Sequence, residues 1–193
     1  MDSHSLTTRG AVMAVSGKRV AFLLTKGVEQ VELTSPREAL EGAGATTVIV
    51  SPSEGTLQAM QGDWDHGDVF DVDVPLGEAG AGDYDLLVLP GGTLNADALR
   101  QDDRAVELVK DFFAAGIPVA AICHAPWILA DAGLAEGRTL TSYASLETDL
   151  RNAGADWRDE EVVIDGNLIT SRNPGDLDAF NAAIVQALQD TEA

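Results

Sequence analysis

The strongest constraint on this chain is a recurrence of short apolar runs, each followed by a stretch of helical period. The runs are KRVAFLL at 18–24, TTVIV at 46–50, YDLLVLP at 84–90 and Ile117–Ile122. Short continuous runs rich in Val, Ile and Leu read as strands buried on both faces. Between them, Val28–Ala43 spaces Val31, Leu33, Ala39 and Leu40 in a broadly helical pattern. Arg104–Ala115 does the same with Val106, Val109, Phe112 and Phe113 before a stop at Gly116. Asn95–Leu99, Ala125–Ala132, Leu146–Ala153 and Asp176–Leu188 predict further helices. Pro52–Asp73 predicts short strands and loops. Glu161–Ile164 and Leu168–Ser171 flank Asp165-Gly166-Asn167 as a hairpin. Strands alternating with helices imply an α/β fold, a mostly parallel sheet with helices on both faces. No repeat or linker interrupts the pattern, so residues 18–193 are expected to form a single domain, with 1–17 a mobile tail.

Such a sheet gathers its functional loops at the carboxyl ends of the strands. Three features fall there: Glu29 after the first strand, Gly91-Gly92 after the YDLLVLP strand, and Cys123-His124 after the Ile117 strand. Free cysteine is commonly a small buried hydrophobe. Cys123, however, ends an apolar strand and directly precedes a predicted helix with Pro126 in its first turn. That placement resembles a nucleophile elbow, although the strict G-x-S-x-G pattern is absent. A helix N-terminus there would favour the thiolate. The backbone N–H of His124 is a candidate oxyanion donor, and its side chain is a candidate base. Gly91 and Gly92 allow backbone N–H groups to approach a substrate oxygen. A buried Glu29 facing Cys123 would hold its proton and hydrogen-bond the thiolate, with Glu32, about one helical turn later, competing for that role.

Composition narrows the function. There are 32 acidic residues against 12 basic ones, a net charge of −20, with no basic cluster, which argues against nucleic acid and anionic membrane as partners. No apolar run approaches the ~20 residues of a membrane helix. One cysteine and three histidines give no close-spaced metal-ligand set, and no nucleotide fingerprint is present, so neither metal nor cofactor is expected. The single cysteine excludes an internal disulfide and fits a cytoplasmic location.

The segments Gly27-Val28-Glu29-Gln30-Val31-Glu32, Leu89-Pro90-Gly91-Gly92, Ala121-Ile122-Cys123-His124-Ala125-Pro126, Thr141-Ser142-Tyr143 and Val162 to Arg172 together resemble the PfpI family. That family belongs to the ThiJ/PfpI branch of the class I glutamine-amidotransferase-like proteins. The resemblance covers about residues 18–190 and is nearest to the bacterial general-stress-protein subgroup. It implies a flavodoxin-like sandwich, a nucleophile at Cys123, a neighbouring His124, and a carboxylic acid that maps to Glu29. It also implies an acid supplied by a neighbouring subunit, for which Asp97 is the nearest match after a one-residue shift, and a pocket near Tyr143. Ala125 stands where many members carry glycine, and Trp127 adds bulk beside it. A homodimer or a larger homo-oligomer is expected.

The resemblance implies a stress-response enzyme without cofactor: a cysteine-dependent hydrolase, glyoxalase or deglycase acting on small reactive carbonyls such as methylglyoxal, or on glycated adducts. An intracellular cysteine peptidase is the first alternative. A redox sensor, working through oxidation of Cys123, is the second. Amidotransfer would need a histidine downstream of His124, and the sequence has none.

Overall fold

The computed structural model describes residues 15–191. The chain runs β1 (Arg19–Leu23), α1 (Gln30–Gly42), β2 (Thr46–Ser51), β3 (Thr56–Gln61), β4 (Asp65–Asp71), β5 (Val74–Pro75), β6 (Leu86–Leu89), α2 (Thr93–Arg100) and α3 (Asp103–Ala114). It continues through β7 (Val119–Ile122), α4 (Trp127–Asp131), β8 (Thr139–Leu140), α5 (Glu147–Asn152), β9 (Asp156–Trp157), β10 (Val162–Asp165), β11 (Leu168–Ser171) and α6 (Leu177–Asp190). The main sheet has the order β10-β11-β7-β6-β1-β2-β5. Every neighbouring pair is parallel except the β10–β11 hairpin. Taking β1, β2, β6, β7 and β11 as the first to fifth core strands, their spatial order is 2-1-3-4-5, the flavodoxin-like arrangement. The topological switch therefore lies between β1 and β6.

The apolar runs are apolar throughout because alternate residues serve two separate cores. Ala21, Leu23, Leu87, Leu89, Val119 and Ala121 face α3, α4 and α5, through Leu108, Phe112, Leu129 and Leu150. Val20, Phe22, Leu86, Val88, Ala120 and Ile122 face α1 and α6, through Leu33, Leu40, Phe180 and Ile184. Two covered faces leave the interior positions of these strands to apolar side chains.

The last three residues of the expected tail belong to the fold. Val15 is fully buried in the second core, and its carbonyl accepts from the Lys18 N–H at 3.2 Å. Residues 1–14 of that expectation lie outside the described residues. The helix expected over Ala125–Ala132 is shorter, Trp127–Asp131. Its approach is made of tighter turns, with Trp127, Ile128 and Leu129 N–H donating to the carbonyls three residues back. No helix among the described residues is long and apolar enough to cross a membrane.

Candidate active site

The carboxyl ends of β1, β6 and β7 converge on one pocket of about 210 Å³ that reaches Cys123. Its mouth is rimmed by Glu29, Asp63, Tyr143 and Pro174. A larger hollow of about 380 Å³, between Pro118, Asn167 and Ala187, lies at the opposite end of β7 and holds no nucleophile.

Cys123 has φ +64°, a left-handed backbone that costs a residue bearing a side chain roughly 1–3 kcal/mol. The neighbouring chain holds it there from both sides. Its N–H donates to the Ser171 carbonyl at 3.1 Å, and its carbonyl accepts from the Tyr143 N–H at 2.7 Å. Gly91 clears the space, since a Cβ at that position would lie 2.8 Å from both the Cys123 Cβ and the Ile122 carbonyl oxygen. The elbow is thus present. The helix beyond it has five residues and starts four residues after the thiol, too short and too far to supply a helix-end charge. The groups that favour the thiolate are instead the backbone N–H groups of Gly92 and His124, which lie beside the sulfur and oppose the rise of its pKa. Gly92 reaches it with φ +91°, a conformation open to glycine.

The carboxyl group beside the thiol belongs to Glu32, not Glu29. Glu32 is completely buried, and its carboxyl group lies beside Cys123. Its Oε2 accepts the Gly91 N–H at 2.8 Å, while Oε1 has no hydrogen-bond partner among the described residues. Gly91 N–H is thereby taken, leaving Gly92 and His124 as the donors for an oxyanion. Glu29 is the N-cap residue of α1 with an extended backbone, φ −68° and ψ 115°, so its side chain leaves the helix face. Both of its carboxylate oxygens accept the Gly62 N–H, at 3.2 and 2.9 Å, tying the tip of the β3–β4 hairpin over the pocket.

Burial drives the electrostatics. It pushes Glu32 up to about 8, helped by the charges of Glu29 and Asp63 and opposed by the neighbouring Cys123 thiol and by the Gly91 N–H. Glu32 therefore carries its proton at neutral pH. Burial also raises the Cys123 thiol, and an ionised Glu32 would raise it further. One negative charge fits in this pair, and carboxyl and thiol titrate as a unit. With 6% of its surface exposed, the thiol is less open than a redox sensor's expected thiol.

His124 extends from the elbow with Nδ1 3.2 Å from Sγ. Its Nε2 is 3.4 Å from both Thr93 Oγ1 and Ser145 Oγ. Its ring stacks on Tyr143, with centroids 4.5 Å apart. Burial lowers its pKa, opposed by Asp63, so the ring is neutral at neutral pH. Side chain and backbone N–H of His124 both address the sulfur, so the elbow presents the two roles from one residue.

Trp127 lies away from this pocket, as does Asp97, the acid expected to serve a neighbouring subunit's site. Asp97 pairs with Arg100 at 2.9 Å on α2, and Trp127 lies under that same guanidinium, 4.1 Å from its ring centroid. Trp127 and Arg100 line a surface hollow with Asp131, Asp149 and Asn152, because the turns after the elbow rotate Trp127 away from Cys123. Three residues escaped the sequence reading: Asp63, Thr93 and Ser145. Thr93 directly follows Gly91-Gly92 and was findable by adjacency. Nothing local to Asp63 links it to position 93. Among the described residues no group of three or more His, Cys, Asp or Glu side chains is arranged to hold a metal ion.

The model of the DJ-1/PfpI family matches residues 18–187. A Bacillus subtilis relative, named "Putative cysteine protease YraA", is 41% identical over 172 residues, covering 89% of this chain and 99% of its own. Among solved structures, an Anabaena variabilis protein with DJ-1/ThiJ/PfpI-like and ferritin-like domains has a TM-score of 0.83 and 36% identity over 89% of this chain. This chain spans about half of that protein, 48%. Drosophila melanogaster DJ-1beta has a TM-score of 0.79 and 31% identity, over 90% of this chain and 94% of its own. The match extends from the first strand into the last helix, and on it this chain belongs to the DJ-1/PfpI family.

Proposed function

We propose that the protein is a cysteine-dependent enzyme acting on small reactive carbonyls, such as methylglyoxal or glycated adducts, in a stress response. The observation that carries this is the thiol at the base of a small pocket, between two backbone N–H donors and a buried, protonated carboxyl group. As the sulfur adds to an aldehyde carbon, the thiol proton passes to His124 Nδ1. The carbonyl electrons move to oxygen, beside the Gly92 and His124 N–H groups. With methylglyoxal, the aldehyde-carbon proton moves to the adjacent carbonyl carbon and the hemithioacetal hydroxyl proton to the former ketone oxygen, turning the hemithioacetal into a thioester. Water then cleaves the C–S bond, giving lactate and the free thiol. The sum is addition of one water, with no oxidant or reductant. Glu32, with its proton available near neutrality, and His124 are the groups within reach for these transfers.

The name of the Bacillus relative favours a second reading, a cysteine peptidase. The pocket volume opposes it, since a peptide needs a groove on either side of the thiol. Purified protein assayed side by side with methylglyoxal and with a quenched fluorescent peptide library separates the two. Carbonyl loss without peptide cleavage supports the first reading. Peptide cleavage without carbonyl loss replaces it.

A further inference from the structure

Asp63 occupies the tip of the β3–β4 hairpin with φ +65°. Its carboxylate accepts two hydrogen bonds from one residue: Oδ1 from the Thr93 N–H at 2.9 Å, and Oδ2 from the Thr93 hydroxyl at 2.7 Å. A carboxylate only accepts, so the single Thr93 hydroxyl proton is committed to Asp63. What remains on Oγ1 is lone-pair density, and 3.4 Å away lies His124 Nε2. Facing an acceptor, Nε2 must carry the ring proton. Ser145, at the same distance, has a free hydroxyl rotor and adapts to either arrangement. A neutral imidazole with its proton on Nε2 has a bare lone pair on Nδ1, and Nδ1 is the atom 3.2 Å from Sγ.

We propose that Asp63, acting through the Thr93 hydroxyl, is a positioning residue that fixes the His124 tautomer so that the Nδ1 lone pair receives the Cys123 thiol proton. The S–H bond breaks, its electron pair stays on sulfur for attack, and the proton becomes Nδ1–H. The imidazolium so formed still donates its Nε2–H toward Thr93, which Asp63 polarises. A carboxylate that acts by setting an imidazole tautomer follows the logic of hydrolytic triads, with a threonine hydroxyl interposed here. The inference rests on the reading of Cys123 as nucleophile, but its test uses no carbonyl substrate.

Asp63→Asn decides it. The amide oxygen retains the Thr93 N–H bond, while the amide NH₂ now faces Thr93 Oγ1 and donates to it. The hydroxyl must then turn its proton toward Nε2, and the ring proton moves to Nδ1. Nitrogen-15 NMR of the histidine rings at neutral pH reads this directly. The sequence has three histidines, and the His124 signals are those lost in His124→Gln. The expected result is an Nε2–H ring in the wild type, an Nδ1–H ring in Asp63→Asn, and the wild-type pattern kept in Thr93→Ser. Alkylation of Cys123 by iodoacetamide should slow on the order of tenfold in Asp63→Asn and by less than about twofold in Thr93→Ser. An Nδ1–H ring in the wild type overturns the proposal even if the variant fails to fold. An unchanged tautomer in folded Asp63→Asn overturns it as well. Absence of carbonyl turnover in the wild type would instead refute the enzymatic reading, whichever tautomer is found.

Discussion

Glu32 and His124 both reach the Cys123 sulfur, yet they do so under different constraints. Glu32 comes from a helix face that buries Leu33, Pro36 and Leu40 beside it, and backbone closes around its carboxyl group. His124 comes from the strained elbow itself and is surrounded by side chains rather than backbone: the Thr93 and Ser145 hydroxyls and the Tyr143 ring. The closed side raises a carboxyl pKa and keeps a proton in the site at neutral pH. The side built from side chains orients a neutral base. The difference teaches that burial can supply an acid without a dedicated partner, whereas a base with a defined tautomer needs named neighbours.

This contrast predicts unequal tolerance to substitution. The largest effect is expected on the closed side. Gly91→Ala forces a methyl group against Cys123 and Glu32, with backbone that cannot yield. Urea unfolding should show a loss of about 1–3 kcal/mol, and displacement of the sulfur should cut carbonyl turnover about a hundredfold. Tolerance of this change would show that the packing beside the thiol is looser than described.

Glu32 itself gives the next effect, and its sign is fixed by linkage. Its pKa is raised from 4.5 in the unfolded chain to about 8 in the fold. Between those values the unfolded state has lost a proton that the folded state retains. The stability associated with this group is therefore fully present below the lower value and is lost as pH rises to the upper one. The slope is at most about 1.4 kcal/mol per pH unit. Glu32→Gln removes it, so the difference in unfolding free energy between variant and wild type should change across that window. Parallel stability curves from pH 4.5 to about 8 would break the assignment of a buried protonated carboxyl group.

On the open side, Tyr143→Leu removes the ring stacked on His124 and should cost about 1 kcal/mol of stability, with a modest fall in turnover. The smallest effect belongs to Glu29→Gln. The amide oxygen can still accept the Gly62 N–H, so stability should stay within about 0.5 kcal/mol and turnover within a few-fold. A collapse of turnover in Glu29→Gln with Glu32→Gln still active would reverse the roles of the two residues.

Much of this was legible from sequence because it depends on local pattern. The parallel sheet followed from four apolar runs, and the elbow from an apolar strand ending at Cys123. The exchange of Glu29 for Glu32 shows where pattern reading stops. Leu33, Pro36 and Leu40 mark a buried helical face, and position 32 lies on it. Position 29 would also lie on that face if the helix began earlier, but Glu29 is the cap residue and its extended backbone breaks the register. The start of a helix, a matter of one residue, decided which carboxyl group met the thiol. Asp63 was illegible for another reason. It reaches His124 through Thr93, 30 residues along the chain, and that meeting exists only once the β3–β4 hairpin folds over the strand ends.

The central claim is that Cys123 performs the chemistry in this pocket. Its most direct test is lactate formation from methylglyoxal by the wild type and by Cys123→Ala, with far-ultraviolet circular dichroism confirming that both are folded. The account predicts steady lactate production by the wild type and none above the uncatalysed background in the variant. Equal production by the two proteins would contradict it.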